Sequence, residues 1–330
     1  MSDLSTMRAL VLDRPDGPLR PAELARPVPA EGQVLVRIAA SGVNPLDLKI
    51  RAGAAAHAKH KLPAVLGIDL AGTVAAVGPG VAAFRPGDEV YGMTGGVGGR
   101  QGSLAEFAAV DAALLAPKPA NLSMREAAAL PLATITAWEG LVDRAGVREG
   151  QSVLVQGGAG GVGHVAVQLA RAYGARVFAT ASAGKLERVG RLGATPIDRA
   201  ETVEATVAAH TGGRGFDLVY DTVGGPVLDA SFQAVRRFGH VVSALGWGSH
   251  ALAPLSFRAA TYSGVFTLLP LLTGQGRAHH GEIMRRAAAL AEAGLLAPIL
   301  DPRRFTLDTA EAAHQAVAAG PAGKVVVEIG

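Results

Sequence analysis

Gln151-Ser-Val-Leu-Val-Gln-Gly-Gly-Ala-Gly-Gly-Val-Gly163 runs on into His-Val-Ala-Val-Gln-Leu-Ala-Arg171: a short apolar run, a glycine cluster, then apolar residues at helical spacing. The order reads as strand, turn, helix. Within it Gly158-Ala-Gly160-Gly-Val-Gly163 spells G-x-G-x-x-G. In this pattern the first glycine allows a tight turn, the second lets the backbone approach a pyrophosphate, and the third lets helix and strand pack closely. Free N–H groups at the helix start then face the anion. Gly158, Ala159, Gly160, Gly161, Val162 and Gly163 are therefore the candidate phosphate-binding residues.

Glycine is abundant in this chain, 43 of 330 residues, so the spelling alone is weak. Gly95-Gly-Val-Gly-Gly99 is a rival cluster, but no helix-like segment follows it. After Gly163, by contrast, comes the strand-like Arg176-Val-Phe-Ala-Thr-Ala-Ser182, then a helical pattern over residues 185–192 that stops at Gly193. A strand–helix–strand unit of that length is what a dinucleotide site needs. Alternation continues, with strands expected at residues 153–156, 176–180, 195–197, 216–221 and 240–244 and helices between them. This predicts an α/β fold with a Rossmann-type doubly wound parallel sheet.

Upstream, residues 34–38, 69–77, 89–91 and 105–110 are short strand-like runs punctuated by glycine and proline, which suggests a small, mostly β domain. Ser123-Met-Arg-Glu126 spells a capping box and marks a domain entry. Helix-like residues 281–293, a second capping box at Asp308-Thr-Ala-Glu311 and a strand-like 324–329 do not continue the alternation. They are expected to return to the first domain.

A 330-residue chain that is 49% hydrophobic and 18% charged can bury two separate cores. Formal net charge is +3, and the arginine pairs are scattered, so nothing specifies nucleic acid. Residues 1–15 lack a basic stretch followed by an apolar core, and Phe266-Thr-Leu-Leu-Pro-Leu-Leu272 is too short to cross a bilayer. A soluble, cytoplasmic protein with no membrane partner is expected. The chain has no cysteine, which removes disulfides, thiolate nucleophiles and thiolate-ligated metals.

Several segments together resemble the medium-chain dehydrogenase/reductase superfamily, in its zinc-free quinone oxidoreductase branch. They are Ser41-Gly-Val-Asn-Pro-Leu-Asp47, Leu66-Gly-Ile-Asp-Leu-Ala-Gly72, Pro86-Gly-Asp-Glu-Val90, Gly102-Ser-Leu-Ala-Glu-Phe107, Glu126-Ala-Ala-Ala-Leu-Pro-Leu132 with Thr136-Ala-Trp138, the glycine turn, Asp221-Thr-Val-Gly-Gly225 and Gly323-Lys324. Their order covers nearly the whole chain. The resemblance implies a GroES-like, mostly β catalytic domain from residues 1–122, a Rossmann domain from 123–264, and a return to the catalytic domain over 265–330, with the cofactor in the cleft between them.

Zinc-containing members carry a cysteine where Asn44 stands, a His-Glu pair at Ile68-Asp69 and another cysteine near Leu132, so the resemblance implies no metal site. His57 and His60, interleaved with Lys59 and Lys61, read as a solvated loop rather than a ligand pair. Without a Lewis acid, reduction of a quinone or an α,β-unsaturated carbonyl is the easier chemistry.

Relatives that use NAD keep a carboxylate about 20 residues past the turn. Here Thr180-Ala-Ser-Ala-Gly-Lys185 stands in that place. Ser182 and Lys185 suit a 2′-phosphate and imply NADPH, although they also suit an ordinary surface. Arg199 replaces a tyrosine that often follows the third strand, and either adds phosphate affinity or has no role. Asn44 and Asp47 lie on the loop that in relatives reaches nicotinamide and substrate, and Asn-Pro is also an ordinary turn former. Thr136, Thr222, Leu245, Gly246 and Trp247 are further cofactor candidates at the carboxyl edge of the sheet, with Trp247 equally suited to packing. No G-x-S-x-G elbow and no general acid stand out.

The expected activity is NADPH-dependent hydride transfer. Two alternatives stay open: an enoyl-thioester reductase with Arg51, Lys59 and Lys61 as a basic entrance, and a non-enzymatic redox sensor or RNA-binding protein. A homodimer is expected from the resemblance and from an apolar edge over residues 262–269. Loops 51–61 and 92–101 are expected to line the substrate pocket.

Overall fold

The alternation after residue 151 forms a single parallel sheet. The computed structural model describes residues 6–330. Strands β1 (Thr6–Leu12), β2 (Leu19–Ala25), β3 (Gln33–Val43), β4 (Ala64–Val65), β5 (Asp69–Val77), β6 (Glu89–Met93), β7 (Phe107–Asp111) and β8 (Leu115–Pro117) precede it. The parallel sheet consists of β9 (Ser152–Gln156), β10 (Arg176–Ala181), β11 (Thr195–Asp198), β12 (Phe216–Asp221), β13 (Val235–Ser243) and β14 (Thr261–Gly264). Strands β15 (Phe305–Thr306) and β16 (Val325–Glu328) come last.

Helices are α1 (Pro45–Arg51), α2 (Met124–Ala128), α3 (Pro131–Trp138), α4 (Gly163–Ala172), α5 (Leu186–Arg191), α6 (Val203–Thr211), α7 (Pro226–Ala234), α8 (Ala253–Ser256), α9 (Leu269–Thr273), α10 (Arg277–Glu292) and α11 (Ala310–Ala318). None is long and apolar enough to cross a membrane.

The chain divides into one unit of residues 1–132 with 268–330 and another of residues 133–267. In the second, the strand order is β11-β10-β9-β12-β13-β14, every pair parallel. The chain steps outward from β9 to β11, then returns to the far side of β9 at β12. That reversal leaves a crevice beyond the carboxyl ends of β9 and β12, where open α/β sheets bind ligands. All five residues of β9 are buried, as befits a strand covered on both faces. Leu154, Val219 and Val241 pack with Phe216, Leu228 and Phe232 in the core.

In the first unit, β2-β1-β4 form a small sheet, and β15-β16-β3-β5-β6-β8 a larger one with β7 added on β3. Strand β16 runs antiparallel to β3, Val325 opposite Val43, so the last strand lies beside one of the earliest.

Several boundaries differ from expectation. The Ser123 box forms, with Ser123 N–H donating to Glu126 Oε2 at 2.8 Å. The helix it opens, α2, packs on β3 and β5, so the first unit extends to Leu132. At the other box Asp308 is not the cap: it lies in a 3₁₀ turn, Leu307–Thr309, and Thr306 N–H donates to Thr309 Oγ1 at 2.8 Å instead. The 281–293 helix begins earlier, at Arg277, after Gly276 with φ 82°. Strand β13 begins at Val235, because Phe216 already pairs with Val235 ahead of an irregularity in the ladder.

Candidate active site

Four glycines divide the work of the turn after β9, and the division differs from the expected one. The left-handed conformation, φ 75°, belongs to Gly157 and not to Gly158. Gly158 is instead where the strands crowd: a Cβ there would lie 2.5 Å from the Ala179 Cβ on β10. Gly163 opens α4 so close to β9 that its Cβ would stand 2.1 Å from Gly157 O. At Gly160 the nearest obstacle is Gly157 O at 3.1 Å, and nothing else comes within 4 Å. That is the open side of the turn.

Gly160 N–H turns back to Gly157 O at 2.9 Å. The N–H groups of Ala159, Gly161 and Val162 find no backbone acceptor among the described residues outside helices and strands. Donors around an open glycine at a ten-residue helix's N-terminus could cradle a pyrophosphate. The turn itself is braced by Thr180, whose Oγ1 accepts Gly157 N–H at 3.0 Å and donates to Gln156 Oε1 at 2.7 Å. His164, nearly fully buried, places Nδ1 3.0 Å from Gly160 O. Neither Thr180 nor His164 was singled out from sequence, since a brace has no spacing signature.

Beyond β10 the chain enters a 3₁₀ turn, Ala183–Lys185, with Ser182 before it. Ser182 and Lys185 are half-buried. Arg199 N–H donates to Ala181 O at 2.8 Å, which brings the exposed Arg199 alongside Ser182 at the ends of two neighbouring strands. A hydroxyl and two cations thus share one sheet edge. The nearest acid in register is Asp198, opposite Ala181, and its Oδ1 accepts Ala200 N–H at 2.9 Å.

At the other strand ends the candidates separate. Asp221 is fully buried and committed to its own loop: Oδ1 accepts Val223 and Gly224 N–H, each at 3.0 Å, and Oδ2 accepts Ser243 Oγ at 2.7 Å. Thr222 Oγ1 donates to Gln156 O at 2.7 Å. Leu245 N–H donates to Ser243 Oγ, and Gly246 stands where a Cβ would meet the Tyr262 hydroxyl at 2.1 Å. Trp247 is 54% exposed and meets Phe266 edge-on, with ring centres 6.3 Å apart. Thr136 is buried, and its carbonyl accepts the Tyr220 hydroxyl at 2.7 Å. Helix α3 then widens into a π-helical turn, Glu139–Arg144, a distortion that often accompanies functional sites.

The first unit holds a second polar centre. Asn44 precedes α1, and its N–H donates to Asp47 Oδ2 at 2.8 Å. Asn44 Nδ2 donates to Asp69 Oδ2 at 2.9 Å, and Lys324 Nζ donates to Asn44 Oδ1. Asp69 Oδ1 accepts Leu132 N–H at 2.9 Å. All four side chains are buried: Asn44 1%, Asp47 1%, Asp69 0% and Lys324 6% exposed.

Burial pushes the Asp47 carboxyl up to about 7, against the Asn44 amide that favours its ionised form. Burial likewise pushes Asp69 to about 6, with the Lys324 ammonium pulling the other way. Lys324 is itself pulled below its ordinary value by burial, opposed by Asp69 and Asp47. Asn44 and Asp47 were expected at a site; Lys324 and Asp69 were quoted only as parts of a likeness.

Zinc does not fit this centre. Asn44, Ile68 and Leu132 offer no thiolate or imidazole. Among the described residues no three His, Cys, Asp or Glu side chains gather as a metal would need. The loops expected around a substrate touch each other, with Gly98 N–H donating to Ala58 O at 2.9 Å. Arg51, expected at a basic entrance, is committed: Nη1 pairs with Glu311 at 2.8 Å and Nε donates to Gly17 O.

Comparison with known proteins matches residues 30–120 to the alcohol dehydrogenase GroES-like domain family and residues 161–275 to the zinc-binding dehydrogenase family. A 2-methylene-furan-3-one reductase of Solanum lycopersicum is 39% identical over 315 residues, spanning 93% of this chain and 74% of that protein. An NADPH-dependent alkenal/one oxidoreductase, chloroplastic, of Arabidopsis thaliana is 38% identical over 281 residues, 83% of this chain and 65% of that protein. Among solved structures, an alcohol dehydrogenase superfamily protein from Novosphingobium aromaticivorans is 62% identical with TM-score 0.98, covering 98% of this chain and 100% of that one. A mycobacterial quinone oxidoreductase is 29% identical with TM-score 0.84, covering 98% and 99%.

Proposed function

The chain belongs to the medium-chain dehydrogenase/reductase superfamily, in its quinone and enone reductase branch, and from that premise we propose that it is an NADPH-dependent, zinc-independent reductase of quinones or α,β-unsaturated carbonyls. It is an oxidoreductase. The observation that carries the cofactor choice is the placement of Ser182, Lys185 and Arg199 just after β10 and β11, with Gly158 N–H of the open glycine turn bonded to Thr180 O on β10.

NADPH, when bound, supplies the hydride. Toward it the chain's own residues act by position: the amides of Ala159, Gly161 and Val162 and the α4 terminus hold the pyrophosphate, and Ser182, Lys185 and Arg199 hold the 2′-phosphate. Asn44 and Asp47 serve the carbonyl substrate. The protein chiefly binds and orients, as expected where a cofactor carries the hard chemistry. Of the apolar edge expected over 262–269, Val265 and Leu268 are buried within the chain while Tyr262 and Leu269 are exposed, so a homodimer along edge strand β14 would rest on those two side chains.

NADPH oxidation followed across a panel of quinones and enones, with NADH in parallel and elemental analysis of the untagged protein, tests the reading. Turnover with NADPH in excess of NADH and no stoichiometric zinc is expected. Activity lost on chelation, or preference for NADH, would overturn it.

A further inference from the structure

Three ionisable side chains in the first unit are directed at one neutral residue, Asn44. Asp47 fixes the main chain of Asn44, while Asp69 and Lys324 take the two ends of its carboxamide. They come from α1, from the start of β5 and from the residue before β16; Lys324 and Asn44 lie 280 positions apart. Burying such charges is costly, and apolar residues of similar volume would serve a core at least as well. Stability therefore does not account for the arrangement. Geometry does.

A carboxamide can be turned end for end at almost no cost in shape, and only its partners decide which way it points. Here an ammonium, which only donates, faces the oxygen, and a carboxylate held by Leu132 N–H faces the nitrogen. The reverse orientation would set N–H against ammonium and oxygen against carboxylate. One orientation is therefore imposed, and Lys324 also draws electron density toward the oxygen and makes the amide a stronger donor.

Nδ2 carries two N–H groups, and one bond, to Asp69, is formed among the described residues. Asp47 Oδ1, buried in the same centre, makes no close hydrogen bond among the described residues, the Gly67 main chain being the other group that faces this carboxyl. Polar groups left over in so enclosed a place call for a partner from outside the chain.

We propose that Lys324 and Asp69 are positioning residues that lock the Asn44 carboxamide so that its second N–H donates to the carbonyl oxygen of the substrate. This rests on the reductase reading above. As hydride reaches the conjugated carbon, negative charge gathers on that oxygen, and a fixed donor there stabilises the transition state more than the ground state.

The chain contains two asparagines, Asn44 and Asn121, so asparagine-selective ¹⁵N labelling yields two side-chain NH₂ pairs, of which Asn44→Ala deletes one. The Asn44 pair is expected to move in Lys324→Met while Asn121 stays, and one of its two protons is expected to shift when the saturated ketone product is added with NADP⁺. In kinetics with an enone, Asn44→Ala should lower kcat/KM about 100-fold. Lys324→Met should lower it roughly tenfold in the native background, and not at all in the Asn44→Ala background, because it acts only through Asn44.

An Asn44 pair unmoved by Lys324→Met, or a Lys324→Met loss that is the same in both backgrounds, would overturn the proposal. If Lys324→Met does not fold, Lys324→Gln, which keeps a donor without the charge, carries both comparisons. If the native protein reduces no enone or quinone, the reductase reading fails, and the effect of Lys324 on the Asn44 resonances still decides the lock.

Discussion

The glycine turn of the second unit and the charged centre of the first reach order by opposite means. At the turn nothing but main chain is used: Gly157 takes the backbone angle, Gly158 and Gly163 make room, and Gly160 leaves an open side. At the centre the main chain is ordinary, and four buried side chains from three segments form the arrangement. A site made of backbone is restrictive about which residue may stand there and indifferent to charge. A site made of buried side chains depends on the balance of charges among distant residues.

The largest expected effect breaks that balance. Asp69→Ala removes the carboxylate that accepts the Asn44 amide and leaves the buried Lys324 charge less compensated, and an uncompensated buried charge costs about 3–5 kcal/mol. Calorimetry should show the first unit melting much earlier while the second holds its temperature. An unchanged first transition would mean that the centre is not the charged, enclosed cluster described.

Next comes the cofactor edge. Lys185→Ala should remove a charge-assisted bond worth roughly 1.5–3 kcal/mol, a tenfold to hundredfold loss of NADPH affinity, with NADH barely affected. Titration calorimetry with both cofactors checks it; equal losses would remove Lys185 from the 2′-phosphate.

Within the turn, Gly163→Ala and Gly160→Ala should part company. The first forces a Cβ to 2.1 Å from Gly157 O and should destabilise the second unit by about 1–3 kcal/mol or more. The second meets Gly157 O at 3.1 Å, so the fold should persist while NADPH binding weakens. Thermal melts paired with titration separate the two, and similar stability losses would erase the distinction between room for packing and room for ligand.

The smallest effect is a difference in pH response. Asp47 and Asp69, raised by burial to about 7 and about 6 from 3.8, bind protons more tightly when folded. Their contribution to stability is complete below about pH 4 and is lost as pH rises through 6 to 7. In the second unit burial also raises Asp217, but the bonds from Ser152 and Arg236 outweigh it and hold the carboxyl below 3.8. Its contribution is present above about pH 4 and lost on acidification. Melting the protein at pH 5 and pH 8 should show the first unit weakening relative to the second at the higher pH. His314 in the same unit, lowered by burial to about 4, gains stability as pH rises from 5, so the weakening should shrink in Asp47→Asn, and no change there would contradict the burial of Asp47.

How much was legible follows the same contrast. Strands 69–77 and 216–221 coincide with β5 and β12, because glycine or turn residues bound their apolar runs. The turn was legible as a whole, but not which glycine does what: Gly158 is crowded by Ala179 on β10, a neighbour known only once the sheet forms, and the left-handed angle falls at Gly157. Asn44 and Asp47 stand three apart and could be noticed together. Their meeting with Asp69 and Lys324 depends on β16 pairing with β3, and no local pattern records that. The Asp308 box matched a spelling, yet the chain chose Thr306 and Thr309, since a 3₁₀ turn placed Asp308 inside the helix entry.

The pairing of β16 with β3 also sets a timetable. A ribosome releases the chain from its amino end, and residues 133–267 are all in hand while the first unit still lacks its closing strand. During that interval Asn44, Asp47 and Asp69 await a cation that is made 280 residues after Asn44. The second unit thus has every residue it needs before Lys324 is made, whereas the first can be completed only after Lys324 has emerged, so an interrupted translation product would have the whole glycine turn and an unfinished charged centre.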